Sequence, residues 1–265
     1  MNIIVCIKQV PDTTEIKIDP VTNTLIRAGV PSIVNPFDAY ALEVATRLKD
    51  KEGGNVVVLT MGPPQAEKAL RECLSVGADK AYLATDRAFG GSDTLATSYI
   101  LSQVIKYIEK TEGKFDAVFC GKQAIDGDTA QVGPEIAEHL DCAQVTYAVD
   151  AEWKENELIV KKETDTGYDV LAVSTPCVIT VTKTSFEPRY ASVKSRINAA
   201  KATIGTITAE NIELDVSRAG LKGSPTKVKK TFTPKVKKEG LIIRESSSEK
   251  AVKKLIDALV GVSEN

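Results

Sequence analysis

The stretch "NVVVLTMGPPQAEKALRECLSVG", residues 55–77, decides the fold. Its first part, "NVVVLTM" at 55–61, is a continuous apolar run rich in β-branched residues and without strict alternation, the pattern of a strand buried on both faces. Gly62, Pro63 and Pro64 break it. The rest carries Ala66, Leu70 and Cys73 at helical spacing and stops at Gly77, a good C-terminal cap. Strand, loop and helix in that order make one unit of a parallel sheet covered by helices.

The same unit recurs on both sides of it. "NIIVCI" at 2–7, "FDAVFC" at 115–120 and the weaker "KAYLAT" at 80–85 read as further buried strands. "NPFDAYALEVATRLKD" puts Phe37, Ala41, Val44 and Leu48 on one helical face, with Asn35 as cap and Pro36 at the first position. "SDTLATSYILSQVIKYIEK" begins a helix at Ser92 that buries Leu95, Tyr99 and Ile105, and "DTAQVGPEIAEHLD" supplies a fourth helix. This alternation predicts a doubly wound α/β domain with a mainly parallel sheet. "EIKIDPVTNTLIR" at 15–27 reads as an inserted hairpin. From 144, "QVTYAV", "ELIVKKET", "YDVLAV" and "CVITVT" suggest an antiparallel extension.

After residue 183 the core signal fades, which divides the chain into an α/β domain at 1–183 and a C-terminal arm at 184–265. "LKGSPTKVKKTFTPKVKK" at 221–238 holds seven lysines and no acid. Val228, Phe232 and Val236 recur among them, so the segment reads as an arm lying on another subunit rather than a solvated tail. The last helix, "SSEKAVKKLIDALVGV", aligns Val252, Leu255, Ile256 and Leu259 on a face that must dock.

A formal net charge of −2 predicts no general affinity for nucleic acid or an anionic membrane, and no stretch approaches a membrane-spanning helix. Five cysteines, none in a C-x-x-C pair, encode neither a disulfide framework nor a zinc site. The start of the chain reads as a first strand and not as a signal peptide, so the expected location is a reducing one, the cytoplasm or an organelle matrix.

Ligands of a doubly wound sheet bind beyond the carboxyl ends of its strands. "KQVPD", "MGPP" and "GKQAIDGDTAQVGPE" (121–135) all fall there and face one crevice. A helix beginning near Asp128 offers free amides and a positive dipole end to an anion. Gly127 permits close backbone approach, Thr129 and Gln131 add side-chain hydrogen bonds, Asp128 caps the helix and Asp126 takes a ribose hydroxyl. The plainer reading is a loop with an aspartate cap. There is no G-x-G-x-x-G and no P-loop, and "FGGSDT" at 89–94 is at most a second anion site. His139, in the last turn of its helix, reads as structural. No nucleophile, base and orienting acid can be assembled, which leaves chemistry by a bound cofactor.

"VCIKQVPDT", "VNPFDAYALEVATRLK", "MGPPQAEKALRECLSVGAD", "GKQAIDGDTAQVGP" and "EPRYAS" together make the chain resemble, over nearly its whole length, the beta subunit of electron transfer flavoproteins. The resemblance implies an adenine-nucleotide-binding α/β fold and a heterodimer with an alpha subunit that carries FAD. It places cofactor contacts on Cys6, Lys8, Asn35, Pro36, Phe37 and Asp38, and on Met61 and Gly62. It extends them along the loop through Gly121, Lys122, Gln123, Ala124, Asp126 and Gly127, and on through Asp128, Thr129, Ala130, Gln131 and Val132. Phe37 and Glu163 correspond to residues that reach the alpha-subunit flavin, as does Thr13, where other members have a tyrosine. Arg189, Tyr190 and Val193 match the loop that docks dehydrogenase partners.

In this family the crevice holds either structural AMP or, in electron-bifurcating members, a second FAD. The small residues of "GDTAQVGP" favour FAD. The resemblance then implies NADH as hydride donor, ferredoxin or flavodoxin as one acceptor and an acyl-CoA or related dehydrogenase as the other. NADH oxidation is expected only in complex with the alpha subunit and partner. The alternative is a scaffold with AMP that presents the alpha flavin to acyl-CoA dehydrogenases.

Overall fold

The apolar runs align side by side as one sheet. The computed structural model describes residues 1–12, 31–155, 157–229 and 240–263. The first half of the chain forms β1 (Asn2–Cys6), β2 (Gln9–Pro11), β3 (Ser32–Val34), α1 (Pro36–Glu52), β4 (Asn55–Met61), α2 (Glu67–Ser75), β5 (Lys80–Ala84), α3 (Thr94–Glu112) and β6 (Ala117–Gly121). The second half forms α4 (Val132–Leu140), β7 (Ala143–Lys154), β8 (Glu157–Thr164), β9 (Gly167–Val173), β10 (Cys177–Val181), α5 (Val193–Lys201), β11 (Gly205–Ile207), the short α6 (Gly220–Gly223) and α7 (Ser248–Ser263).

Among the described residues nine strands make the sheet, in the order β11-β5-β4-β1-β6-β10-β7-β8-β9. β1 lies between β4 and β6, parallel to both, with Cys6 opposite Leu59 on one side and Cys120 on the other. The chain winds outward from β1 through β4 and β5, then returns to its other side at β6. That reversal opens a crevice at the carboxyl ends of β1 and β6.

Each central strand feeds two cores, which is why its sequence does not alternate. Ile3 and Val5 enter the layer that contains Ala41, Leu48 and Leu70 from α1 and α2. Ile4 and Cys6 enter the opposite one, with Ile100, Ile105 and Ile136 from α3 and α4. Each large apolar side chain fully buried here contributes about 1.5–3 kcal/mol relative to exposure.

Of the four segments expected as an antiparallel extension, three form it: β7 pairs antiparallel with β8 and β8 with β9 at one edge of the sheet. β10 inserts between β6 and β7, parallel to both, and all its residues are buried. "CVITV" is thus another doubly covered strand, and its unbroken apolar run was the signal for it. The start of α3 also differs from expectation. Asp93 rather than Ser92 caps α3, its carboxylate accepting from the Ala96 amide at 3.1 Å. Leu95, at 44% exposure, lies off the buried face.

The chain after residue 183 does not leave the sheet at once, because β11 pairs with β5. By its contacts the chain divides into units of residues 1–229 and 230–265, later than the expected step. In the second unit α7 presents Val252, Leu255, Ile256 and Leu259 exposed. The expected hairpin at 15–27, together with Phe232 and Val236 of the arm, lies outside the described residues.

Phe119 is fully buried on β6. Phe119→Ala is expected to lower the unfolding free energy by about 3–5 kcal/mol, read from urea unfolding followed by circular dichroism. A change below about 1 kcal/mol would contradict the packing described.

Candidate functional site

Three chain segments meet at the carboxyl ends of β1, β4 and β6, and the first turn of α1 ties two of them together. The Asp38 carboxylate accepts from the Lys8 amide at 2.6 Å and from the Gly121 amide at 3.0 Å. A Cβ on Gly121 would stand 2.3 Å from the Asp38 carboxylate oxygen and 2.7 Å from the α1 backbone, so only glycine fits there. Burial pushes the Asp38 carboxyl up to about 7, against the opposing pull of hydrogen bonds from Asn35, Lys8 and Gly121 and of the Lys8 charge.

Asn35 is fully buried and holds the loop after β6 from the same side. Its amide group donates to the Gln123 carbonyl at 2.8 Å, and its side-chain oxygen accepts from the Ile125 amide at 3.1 Å. The expectation that Asn35 caps α1 with its side chain is therefore corrected, since both its polar atoms serve the loop. Cys6, Asn35 and Asp38 are all buried and brace the crevice from beneath, with Cys6 opposite Cys120 on the neighbouring strand. Pro36 opens α1 and Phe37 is half-buried beside it.

Beyond Gly121 the loop turns outward. Gln123 donates to the Asp128 carboxylate at 2.6 Å, and the amides of Gly127 and Asp128 both point to the Ala124 carbonyl. Asp128 and Ala130 take left-handed backbones (φ 52° and 53°), a conformation that costs side-chain-bearing residues free energy and collects at functional sites. The helix expected near Asp128 begins at Val132, so Asp128 is not its cap; Gln131 stands at that position and makes no capping bond with its side chain. The Val132 and Gly133 amides of the first turn of α4 are left without a side-chain cap, and Pro134 carries no N–H. Asp126, expected to be free for a hydroxyl, pairs with the Lys8 ammonium at 2.6 Å. Thr129 is exposed, and a Cβ added at Gly127 would meet nothing within 4 Å, so the loop borders open space. Met61 and Gly62 end β4 at the same level, half-buried, with the Gly62 amide donating to Ala84.

Sequence reasoning missed three residues here. Thr94, at the start of α3, donates to the Glu135 carboxylate at 3.2 Å, while the other Glu135 oxygen is buried without a partner. Tyr147 sits with φ 58° where β7 is irregular, and Lys122 lies over both its ring and that of Phe37, at 5.6 and 5.2 Å. Nothing in "QVTYAV" marks a bulge. Glu163 follows Lys162, which pairs with Ala148, so the antiparallel register carries it toward Tyr147. Thr13 lies outside the described residues. Arg189, Tyr190 and Val193 lie apart, before and at the start of α5.

An uncapped helix start suits an anion, and the orphaned Glu135 oxygen suits a hydroxyl or amine donor; together they fit a nucleotide. His139 packs edge-on against Tyr99 at 5.8 Å, and burial and the Arg218 charge push its pKa down, so it is a neutral packing residue rather than a cation on the helix end.

A mainly parallel sheet whose winding reverses at β1, with helices on both faces, is the architecture of a doubly wound α/β protein. Residues 22–212 match the electron transfer flavoprotein domain. The chain is 54% identical over 260 residues to the electron transfer flavoprotein subunit beta of Thermoanaerobacterium thermosaccharolyticum, with 98% of each chain covered. It is 48% identical over 260 residues to the caffeyl-CoA reductase-Etf complex subunit CarD of Acetobacterium woodii, again with 98% of each covered. With the FixA protein of Bradyrhizobium diazoefficiens it shares 47% over 263 residues, 98% of this chain and 91% of the other. The chain belongs to the electron transfer flavoprotein family, among its beta subunits.

Asp38 makes stability depend on pH with a definite sign. Its folded value of about 7 lies above the ordinary 3.8, so the native state holds the proton more tightly. The cost of burying the charge is absent below the ordinary value, grows as pH rises toward the folded value and is complete above it. On acidification from about pH 8 to about pH 5 the wild type is therefore expected to gain stability relative to Asp38→Asn. Urea midpoints that stay parallel across that range would contradict the assignment.

Proposed function

We propose that the crevice holds FAD, and that the chain works with a flavin-bearing alpha subunit as an electron-bifurcating flavoprotein. The observation that carries this reading is the loop at 121–132, which ends in an uncapped helix start and borders open space at Gly127. That arrangement suits a diphosphate with a large ring system beyond it better than a single phosphate.

When bound, FAD supplies acceptance of a hydride from NADH and release of its electrons singly, one to ferredoxin or flavodoxin and one through the alpha-subunit FAD to a dehydrogenase. The chain itself binds, orients and excludes. Amides of the α4 start face the diphosphate, with Thr129 and Gln131 beside them. The orphaned Glu135 oxygen accepts from a hydroxyl or amine of the nucleotide. Gln123, Ala124 and Asp128 hold the loop's shape, Asn35 and Asp38 brace it from below, and Phe37, with Lys122 against it, faces the alpha flavin together with Glu163. Tyr190 and Val193 dock the dehydrogenase, and α7 packs on the alpha subunit. A relative named as part of a caffeyl-CoA reductase complex favours an acyl-CoA-type partner.

Flavin analysis of the purified heterodimer tests the reading. Two FAD per heterodimer are expected; one FAD with one AMP would leave only a scaffold. Asn35→Ala removes two hydrogen bonds to the loop. It is expected to weaken FAD retention by about tenfold or more, measured by dialysis and flavin fluorescence.

A further inference from the structure

The docking segment is assembled before any partner arrives. Along α1, Tyr40, Glu43, Arg47 and Asp50 fall three or four residues apart and so share one face of the helix. All four grip residues 186–189. The Tyr40 hydroxyl donates to Glu187 at 2.8 Å, and the Arg47 guanidinium lies 4.0 Å from the centre of the Phe186 ring. Glu43 accepts the Arg189 backbone amide at 3.0 Å and its side chain at 2.8 and 3.1 Å, while Asp50 takes the remaining guanidinium nitrogen at 2.8 Å. Arg71 then closes the far end of α5, donating to the carbonyls of Ala199, Ala200 and Ala202.

The grip is uneven. Glu43 is only 7% exposed and spends both oxygens on Arg189, whereas Asp50 is exposed. Arg189 is thereby turned inward and is not free to meet a partner. What the segment presents is Tyr190 at 97% exposure, Val193 at 77% and Ile197 at 50%, the last two one turn apart on α5. Large apolar side chains so exposed, on a backbone held by charge-assisted hydrogen bonds, make a rigid apolar knob that loses little conformational entropy on binding.

We infer that Glu43 is the positioning residue of the docking surface: through Arg189 it fixes the segment from which Tyr190, Val193 and Ile197 project toward a dehydrogenase. The inference rests on the docking reading given above. It also replaces the role the resemblance assigns to Arg189, which becomes a strut rather than a contact. Glu43 touches neither the crevice nor the loop at 121–132, so its removal acts on partner recognition and not on the cofactor.

Amide hydrogen exchange on the intact heterodimer tests the positioning. Glu43→Gln, which keeps shape and removes charge, is expected to speed exchange over residues 186–197 by about tenfold or more, with residues 121–131 and FAD content unchanged. Asp50→Asn, at the exposed arm, gives a smaller change in the same direction and serves if the buried variant folds poorly. Unchanged exchange over 186–197 in both variants overturns the inference.

Steady-state assays with butyryl-CoA dehydrogenase, reduced by butyryl-CoA, test the consequence. Glu43→Gln is expected to raise the KM for that dehydrogenase by about tenfold at unchanged turnover under saturation, with partial rescue in Glu43→Asp. Lower turnover at unchanged KM overturns it. Tyr190→Ala separates the two ideas: if it leaves KM unchanged the docking reading fails, while the exchange result still decides whether Glu43 positions the segment.

Discussion

The Asp38 carboxylate takes one amide hydrogen from Lys8, two residues past the end of β1, and another from Gly121, the last residue of β6, and it does so from the first turn of α1. Parallel strands have no turn to set the relative height of their ends, and β1 and β6 are far apart in sequence. A buried acceptor between them supplies that constraint. Its charge is costly to bury, and the positive end of the α1 dipole and the two amides offset part of the cost. Gly121 follows as a necessity, because any side chain there would occupy the space of the carboxylate. Asn35 extends the same brace by one step, to Gln123 and Ile125. The loop that lines the crevice is thus held at its base by buried bonds and at its tip only by exposed ones.

The same helix serves two surfaces. Its first turn braces the crevice, and its outer face carries the stripe that grips residues 186–189. Because α1 also packs its other side into the core through Ala41, Val44 and Leu48, it has little freedom to shift. The crevice and the segment proposed for docking are therefore referenced to one rigid element. For an electron carrier this matters physically, since transfer between proteins depends on the separation of their redox centres, and that separation inherits any play in the chain between them.

Much of this was legible in the sequence and some was not, for reasons tied to particular residues. The doubly buried runs at 2–7, 55–61 and 115–120 announced the parallel sheet because nothing but two covered faces allows such strands. "CVITV" carried the same signature, yet its position after three strand-like segments suggested a meander, and order along the chain does not reveal that β10 slips between β6 and β7. Asn35 and Asp38 were both singled out, but the side-chain cap expected of Asn35 is not made. A short polar side chain beside Pro36 looks like a cap, and only tertiary structure shows that its hydrogen bonds run to a loop some ninety residues away. The start of α4 was placed too early because an aspartate before a helix is the usual cap. Here Asp128 answers Gln123 instead, and the helix begins uncapped. Tyr147, Glu135 and the Arg189 strut were invisible, since strained backbone, an orphaned oxygen and a helix-to-loop ion pair leave no periodic trace.

The crevice presents its charges in a form suited to exchange. Lys8 and Asp126 pair at 2.6 Å, yet the lysine side chain is half exposed, and a pair so placed contributes little to stability. An anion entering beside Lys8 can displace Asp126 without stranding a buried charge, and Asp126 is then returned to water or to a donor on the ligand. The Val132 and Gly133 amides at the start of α4, in contrast, have no side-chain cap to lose. On the proposed reading, binding at this loop exchanges one weak contact for hydrogen bonds from the α4 start, while the strongly buried groups, Asp38 and Asn35, keep their partners. On that reading affinity and framework fall to different residues, so loop positions can change without disturbing the sheet on which they stand.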